Sequence, residues 1–193
     1  MMFKYARKMA FAAIAMVFST ATLATAYPDK PVRMIVPFPP GGSTDIMARV
    51  LSNTLQQQMG QPFVVQNRAG AGGVIGTDAA AKSDPDGYTI LLSSSAPLAV
   101  GLDLYKNIPY NVLQDLVPVS MVGEVPMVLV TNPNFEAKTL PQLIGYARAN
   151  PGKLTFALNA LGSQSHVWTE LVQVRTGTGI NMIPDKGSSP AGA

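Results

Sequence analysis

The stretch Val36-Pro-Phe-Pro-Pro-Gly-Gly-Ser-Thr-Asp-Ile-Met-Ala-Arg-Val-Leu51 joins an apolar run to a helical pattern, and its reading decides the fold. Just before it, VRMIV at 32–36 suits a short buried strand. Beyond the glycines, Ile46, Met47, Val50, Leu51 and Leu55 recur at helical spacing between Thr44 and Met59. Gly60 stands where a helix C-terminus favours a glycine. The same alternation continues outward: FVV at 63–65 reads as a strand and 73–82 as a helix of small residues. DPDG at 84–87 has turn chemistry, and YTILL at 88–92 reads as a third strand. A βαβαβ series predicts an α/β fold with a parallel, doubly wound sheet.

A looser region follows, with apolar runs at 117–122 and 127–130. Residues 139–149 then predict a helix with Thr139 as N-cap and Asn150-Pro-Gly as its stop. LTFA at 154–157 reads as a strand, 163–174 as a helix and 180–183 as a last strand. A second α/β unit therefore begins near Pro126, while the tail at 186–193 (KGSSPAGA) has nothing to bury.

The first 26 residues read differently. Lys4, Arg7 and Lys8 precede an apolar run at 11–18, and the segment closes on Ala24-Thr25-Ala26. This is the pattern of a secretory signal peptide cleaved after Ala26, with an uncleaved signal anchor as the alternative. The formal net charge of +3 equals the three basic residues of that segment, which leaves 11 basic and 11 acidic residues in 27–193. A formally neutral mature chain without a Lys/Arg cluster gives no basis for nucleic-acid binding. With no cysteine there is no disulfide framework and no thiolate metal site.

The Gly41-Gly42 loop lacks the Lys that a P-loop places after its glycines; Ser43-Thr44-Asp45 follow instead. A second cluster, glycines 70, 72 and 76, is one residue longer than the dinucleotide fingerprint, and the third strand ends in Ser93-Ser94-Ser95 rather than an acid. What remains is an anion site of neutral donors. A helix N-terminus offers free N–H groups, Gly41 and Gly42 permit close approach, and Ser43 and Thr44 add hydroxyls. Asp45 has two readings, first-turn compensation of the helix dipole or a part in the ligand site. His166, the single histidine, lies between Ser163 and Ser165 on a helix start, where such neighbours point apart and form no triad. Hydrogen bonding and ligand contact are both open to it, and Trp168 belongs to a core or an interface. No catalytic residue, metal or cofactor is expected.

With these residues laid out, the chain resembles the Bug-type (tripartite tricarboxylate transport) extracytoplasmic solute receptors. The resemblance rests on PDKP at 28–31, VPFPPGGSTD at 36–45, Ala48-Arg49, GQP at 60–62 and VVQNR at 64–68. It continues through GAGG at 70–73, PDGY at 85–88, Leu104-Tyr105, Pro109-Tyr110, NPGK at 150–153 and GSQSH at 162–166 with Glu170. It implies a type II periplasmic-binding-protein-like fold, with a first lobe at 27–125 and a partial, truncated second lobe at 126–193. It further implies a periplasmic monomer, not an enzyme, that closes on a small carboxylate and passes it to integral membrane transporter components.

Carried over, one pincer is Phe38, Gly41, Gly42, Ser43, Thr44 and Asp45, and the other runs from Gly162 through Ser163 and Ser165 to His166. Ser93, Ser94 and Ser95 would face the distal part of the ligand. Leu158 stands where the family pattern has a hydroxyl donor. Two rival readings are an inert truncated remnant and a nucleotide-cofactor enzyme resting on the glycine loops.

Overall fold

The computed structural model describes residues 26–185. The expected signal peptide falls, apart from Ala26, outside the described residues, as does the tail at 186–193.

The first unit is a parallel sheet in the order β2-β1-β3, built from β1 (Val32–Val36), β2 (Phe63–Asn67) and β3 (Thr89–Leu91). Helix α1 (Ser43–Met59) leads from β1 to β2, and α2 (Val74–Ala81) leads back across β1 to β3. Right-handed crossovers travelling in opposite directions put the two helices on opposite faces, which is the doubly wound arrangement. On one face Val32, Met34 and Val36 pack with Ala48 of α1 and Phe63 of β2. Fully burying side chains of this size stabilises by about 1.5–3 kcal/mol each.

The buried face of α1 matches the one its periodicity predicts only in part: Leu51 and Leu55 pack against the core. Ile46 and Val50 are more than half exposed, while Asp45, Ala48 and Ser52 are buried. Small residues on the inner face bring the helix close to the sheet, and the Ser52 hydroxyl donates to the Phe63 carbonyl at 2.8 Å. At the other end of the sheet, the Tyr27 hydroxyl donates to the Gly87 carbonyl and Lys30 pairs with Asp86. These contacts tie the start of the described chain to the turn before β3.

Short helical turns follow β3: a wide turn at Ala96–Val100, α3 (Gly101–Leu104) and α4 (Val112–Asp115). The two apolar runs of the looser region form no strand with any described residue, and residues 117–131 are exposed throughout. The second unit contains α5 (Leu140–Ala149), β4 (Thr155–Leu158), α6 (Gln164–Thr176) and β5 (Asn181–Pro184). Strands β4 and β5 pair in parallel, Thr155 opposite Asn181 through Leu158 opposite Pro184. Thr139 caps α5 by accepting from the Gln142 N–H, and Ser163 caps α6. Trp168 on α6 is 55% exposed, so a core position is ruled out for it.

Candidate functional site

The prolines at 37, 39 and 40 lack the N–H groups a ladder needs, so β1 stops at Val36 and the chain turns. Gly41 takes φ +84°, a left-handed geometry that glycine adopts without penalty. Gly42 is the N-cap of α1, and no side chain among the described residues caps this helix. The first N–H groups, those of Ser43, Thr44 and Asp45, therefore keep their donors for another acceptor.

The Asp45 side chain turns inward and is buried. Its carboxylate accepts from the Gly41 N–H at 2.9 Å, from Arg49 Nε at 2.9 Å and Nη2 at 3.1 Å, and from Asn67 Nδ2 at 2.9 Å. Asn67 also donates to the Phe38 carbonyl at 3.1 Å. The Arg49 guanidinium is the largest cause that holds Asp45 down to about 2, aided by Gly41 and Asn67 and opposed by burial. These hydrogen bonds tie the carboxylate to the loop, to α1 and to the end of β2. Arg49 and Asn67, at the second turn of α1 and the end of β2, complete that frame. Residue typing did not single them out, although both lie within the motifs that carry the family resemblance.

Two further loops leave the same edge of the sheet. Ser93, Ser94 and Ser95 follow β3 beside the β1 loop, with Ile35 opposite Leu91 in the register. Ser94 and Ser95 are exposed, and Ser93 makes only a marginal 3.5 Å contact with the Ser94 carbonyl. After β2, the glycine turn at 70–73 packs tightly: a Cβ on Gly73 would sit 3.0 Å from Pro97 and 3.4 Å from Phe38. Such an arrangement puts three loops, one from each strand, at the carboxyl ends of a parallel sheet, where open α/β folds hold ligands.

The loop between β4 and α6 approaches from the second unit. The Tyr105 hydroxyl donates to the Leu161 carbonyl at 3.4 Å, and a Cβ on Gly72 would meet that same carbonyl at 2.9 Å. Inside the loop, the Ser163 hydroxyl donates to the Ala160 carbonyl at 2.6 Å and lies 2.8 Å from the Ser165 hydroxyl. Ser165 accepts from the Asn159 N–H at 3.1 Å, and His166 Nδ1 accepts from the Gly162 N–H at 3.2 Å. Ser163, Ser165 and His166 are thus engaged in holding the loop's own backbone. Leu158 is fully buried at the end of β4, where a hydroxyl would have no exposure to a ligand.

A doubly wound first unit, a second parallel βαβ unit and loops of both facing one another define a periplasmic-binding-protein-like receptor fold. The chain belongs to the tripartite tricarboxylate transporter family receptors, whose family model matches residues 47–192. It is 70% identical over 169 residues to protein BugT of Bordetella pertussis, covering 87% of this chain and 52% of that one. A protein from the tcbD-tcbE intergenic region of Pseudomonas sp. strain P51 is 40% identical over 189 residues, covering 96% and 56%. Among solved structures, Rpa4515 of R. palustris with adipate superposes with TM-score 0.83 at 36% identity, covering 86% of this chain and 55% of that one. MatC of Rhodopseudomonas palustris with bound malate gives 0.78 at 28% identity, covering 86% and 56%. The chain spans about half the length of the curated relatives it matches.

Proposed function

We propose that this chain captures a small carboxylate in the periplasm for a tripartite tricarboxylate-type transporter, acting as a monomeric binding protein without catalysis. The observation that carries the proposal is the uncapped start of α1. There, three N–H donors and two hydroxyls stand at the mouth shared with Ser93–Ser95, and Asp45 is withdrawn into the frame. An anion suits such a helix end. Neutral donors without a nearby lysine fit a carboxylate better than a polyphosphate. The adipate and malate held by two structural relatives belong to the same chemical class. In this reading Phe38, Gly41, Gly42, Ser43 and Thr44 form one side of the site, with Gly162 and its neighbours opposite.

A thermal melt of the periplasmically produced chain, alone and with adipate, malate, citrate and aromatic acids, tests the proposal. An acid present at 100 times its Kd adds about 2.7 kcal/mol, and for a chain of this size that raises Tm by about 5–10 °C. A sharp melt that no acid moves would count against a carboxylate site. A second reading, an inert remnant, draws on the uncovered apolar residues at 117–130; absence of any cooperative transition would favour it.

A further inference from the structure

One hydrogen bond in the loop between β4 and α6 differs in kind from its neighbours. The Ser163 and Ser165 hydroxyls hold the Ala160 carbonyl and the Asn159 N–H through groups that do not titrate. The Gly162 N–H instead donates to His166 Nδ1 at 3.2 Å. An imidazole nitrogen accepts only while it is unprotonated, so the neutral ring carries its proton on Nε2. That nitrogen lies 3.8 Å from Glu170 Oε1, one turn further along α6. The chain contains a single histidine, so no other imidazole titrates beside this one.

The backbone held by the ring is where the two units meet. The Leu161 carbonyl, next to the Gly162 N–H, accepts from the Tyr105 hydroxyl, and a Cβ on Gly72 would fall 2.9 Å from it. Gly162 sits tightly against the first unit as well, since a Cβ there would lie 3.1 Å from Leu104 Cδ1. His166 thus reaches back from the first turn of α6 to the point of contact. Its side chain is 17% exposed, enough for exchange of a proton with solvent. The other titratable groups about this loop come from three elements. Glu170 is on α6; Tyr105 approaches from the first unit, with Asp103 and Lys106 beside it in the chain. Asp185 follows β5, with its N–H on the Leu158 carbonyl where the loop begins.

We infer that His166 is a pH-sensitive positioning residue, which fixes the Leu161–Gly162 corner against the first unit when neutral and releases it when protonated. Protonation turns Nδ1 from acceptor into donor, and two donors 3.2 Å apart repel. A cation in the first turn of α6 also meets the positive end of the helix dipole. Glu170 gives the charged ring a partner on its other nitrogen, so the ring can leave Gly162 without losing every contact. The bond to Gly162 is therefore present above the range in which histidine changes charge and is lost as pH falls through it, from about pH 8 to about 5. This latch goes beyond the capture of a carboxylate, and it stands or falls in the chain without any ligand.

Proton–nitrogen NMR of the whole ligand-free chain, titrated from about pH 8 to about pH 5, is the test. At the upper end the nitrogen shifts of the ring should show Nε2 protonated and Nδ1 bare. As pH falls, the Gly162 amide should move toward the position of a free amide along the same curve as the ring. Its protection against exchange, corrected for the intrinsic rate, should fall roughly tenfold, and the proton contacts between Tyr105 and Leu161 should weaken with it. His166→Asn places an acceptor near the position of Nδ1 and cannot take up a proton, so its Gly162 amide should stay in place throughout. His166→Phe keeps a ring without an acceptor and should show the released corner at both ends. The inference is overturned by a Gly162 amide that does not follow the ring, or by a ring protonated on Nδ1 at the upper end. Tyr105–Leu161 contacts unchanged by the titration, or the same titration in His166→Asn, would equally overturn it. An acid that raises Tm while the Gly162 amide ignores pH would leave the carboxylate reading standing and remove the latch.

Discussion

Asp45 shows at the scale of one residue how a carboxylate beside a helix N-terminus can be neutralised in place. Its charge is consumed by Arg49, Gly41 and Asn67, which leaves the helix N-terminus as the dominant field at the loop. The pH dependence follows from the direction of its shift. A group held at about 2 when folded, against an ordinary value of 3.8, adds stability in full above 3.8 and loses it as pH falls toward 2. Arg49 is half exposed, so screening reduces the contribution to about 1 kcal/mol. Denaturant midpoints of the parent and of Asp45→Asn are expected to differ by a steady amount from pH 7 to about 5. The gap should then narrow between pH 4 and 2. A gap that ignores pH would mean the ion pair contributes nothing and that only the hydrogen bond to Gly41 matters. The sequence placed Asp45 in the loop but left its direction open, because that direction depends on Asn67, a residue 22 positions away that the β1–β2 pairing brings near.

At the scale of elements, local chemistry was legible wherever one signal ended a regular segment. Gly60 closes α1 at φ +74° and Thr139 caps α5, each as its residue type predicts, while Ser163, read as the first residue of a helix, is the N-cap of α6. The orientation of α1 was legible only in part: Leu51 and Leu55 pack inward as their spacing predicts, but Ala48 and Ser52 are the buried positions where a hydropathy count selects Ile46 and Val50. The short turns at 96–115 carry no periodicity to read. Contacts between units were also hidden: the Gly72 turn, Tyr105 and Leu161 are brought together only by folding. Gly72 has φ +62°, and a Cβ there would fall 2.7 Å from the Tyr105 hydroxyl and 2.9 Å from the Leu161 carbonyl. Gly72→Ala should therefore hold the β4–α6 loop away from the first unit. With an acid found in the melt, calorimetry is expected to show binding weakened about tenfold, equal to 1.4 kcal/mol. Tyr105→Phe, which removes a single 3.4 Å contact, should cost less than threefold, under about 0.7 kcal/mol. Unchanged affinity in Gly72→Ala would show that capture does not require the two loops to meet.

For the whole molecule, the alternation of strands and helices was enough to give an α/β fold with parallel sheets, because each apolar run and its turn signals agree. It did not reveal how unevenly the core is shared. Val32, Met34, Ile35 and Val36 are all essentially inaccessible, so β1 alone holds half of the eight largest fully buried side chains among the described residues. In β4 and β5 only Leu158 is buried to that degree, and a two-stranded sheet is marginal without further strands or a helix over it. Stability should divide accordingly. Native-state amide exchange of the chain alone is expected to protect residues 32–36 at least a hundredfold more than 155–158 and 181–184. That ratio corresponds to about 2.7 kcal/mol between local opening in the second unit and opening of the first. Equal protection in both sheets would mean that the second unit unfolds only with the first, through the contact at Tyr105 and Leu161. The second sheet would then be stable as it stands. Unequal protection would locate the weakness of the molecule in the second sheet, where two short strands hold a single fully buried side chain.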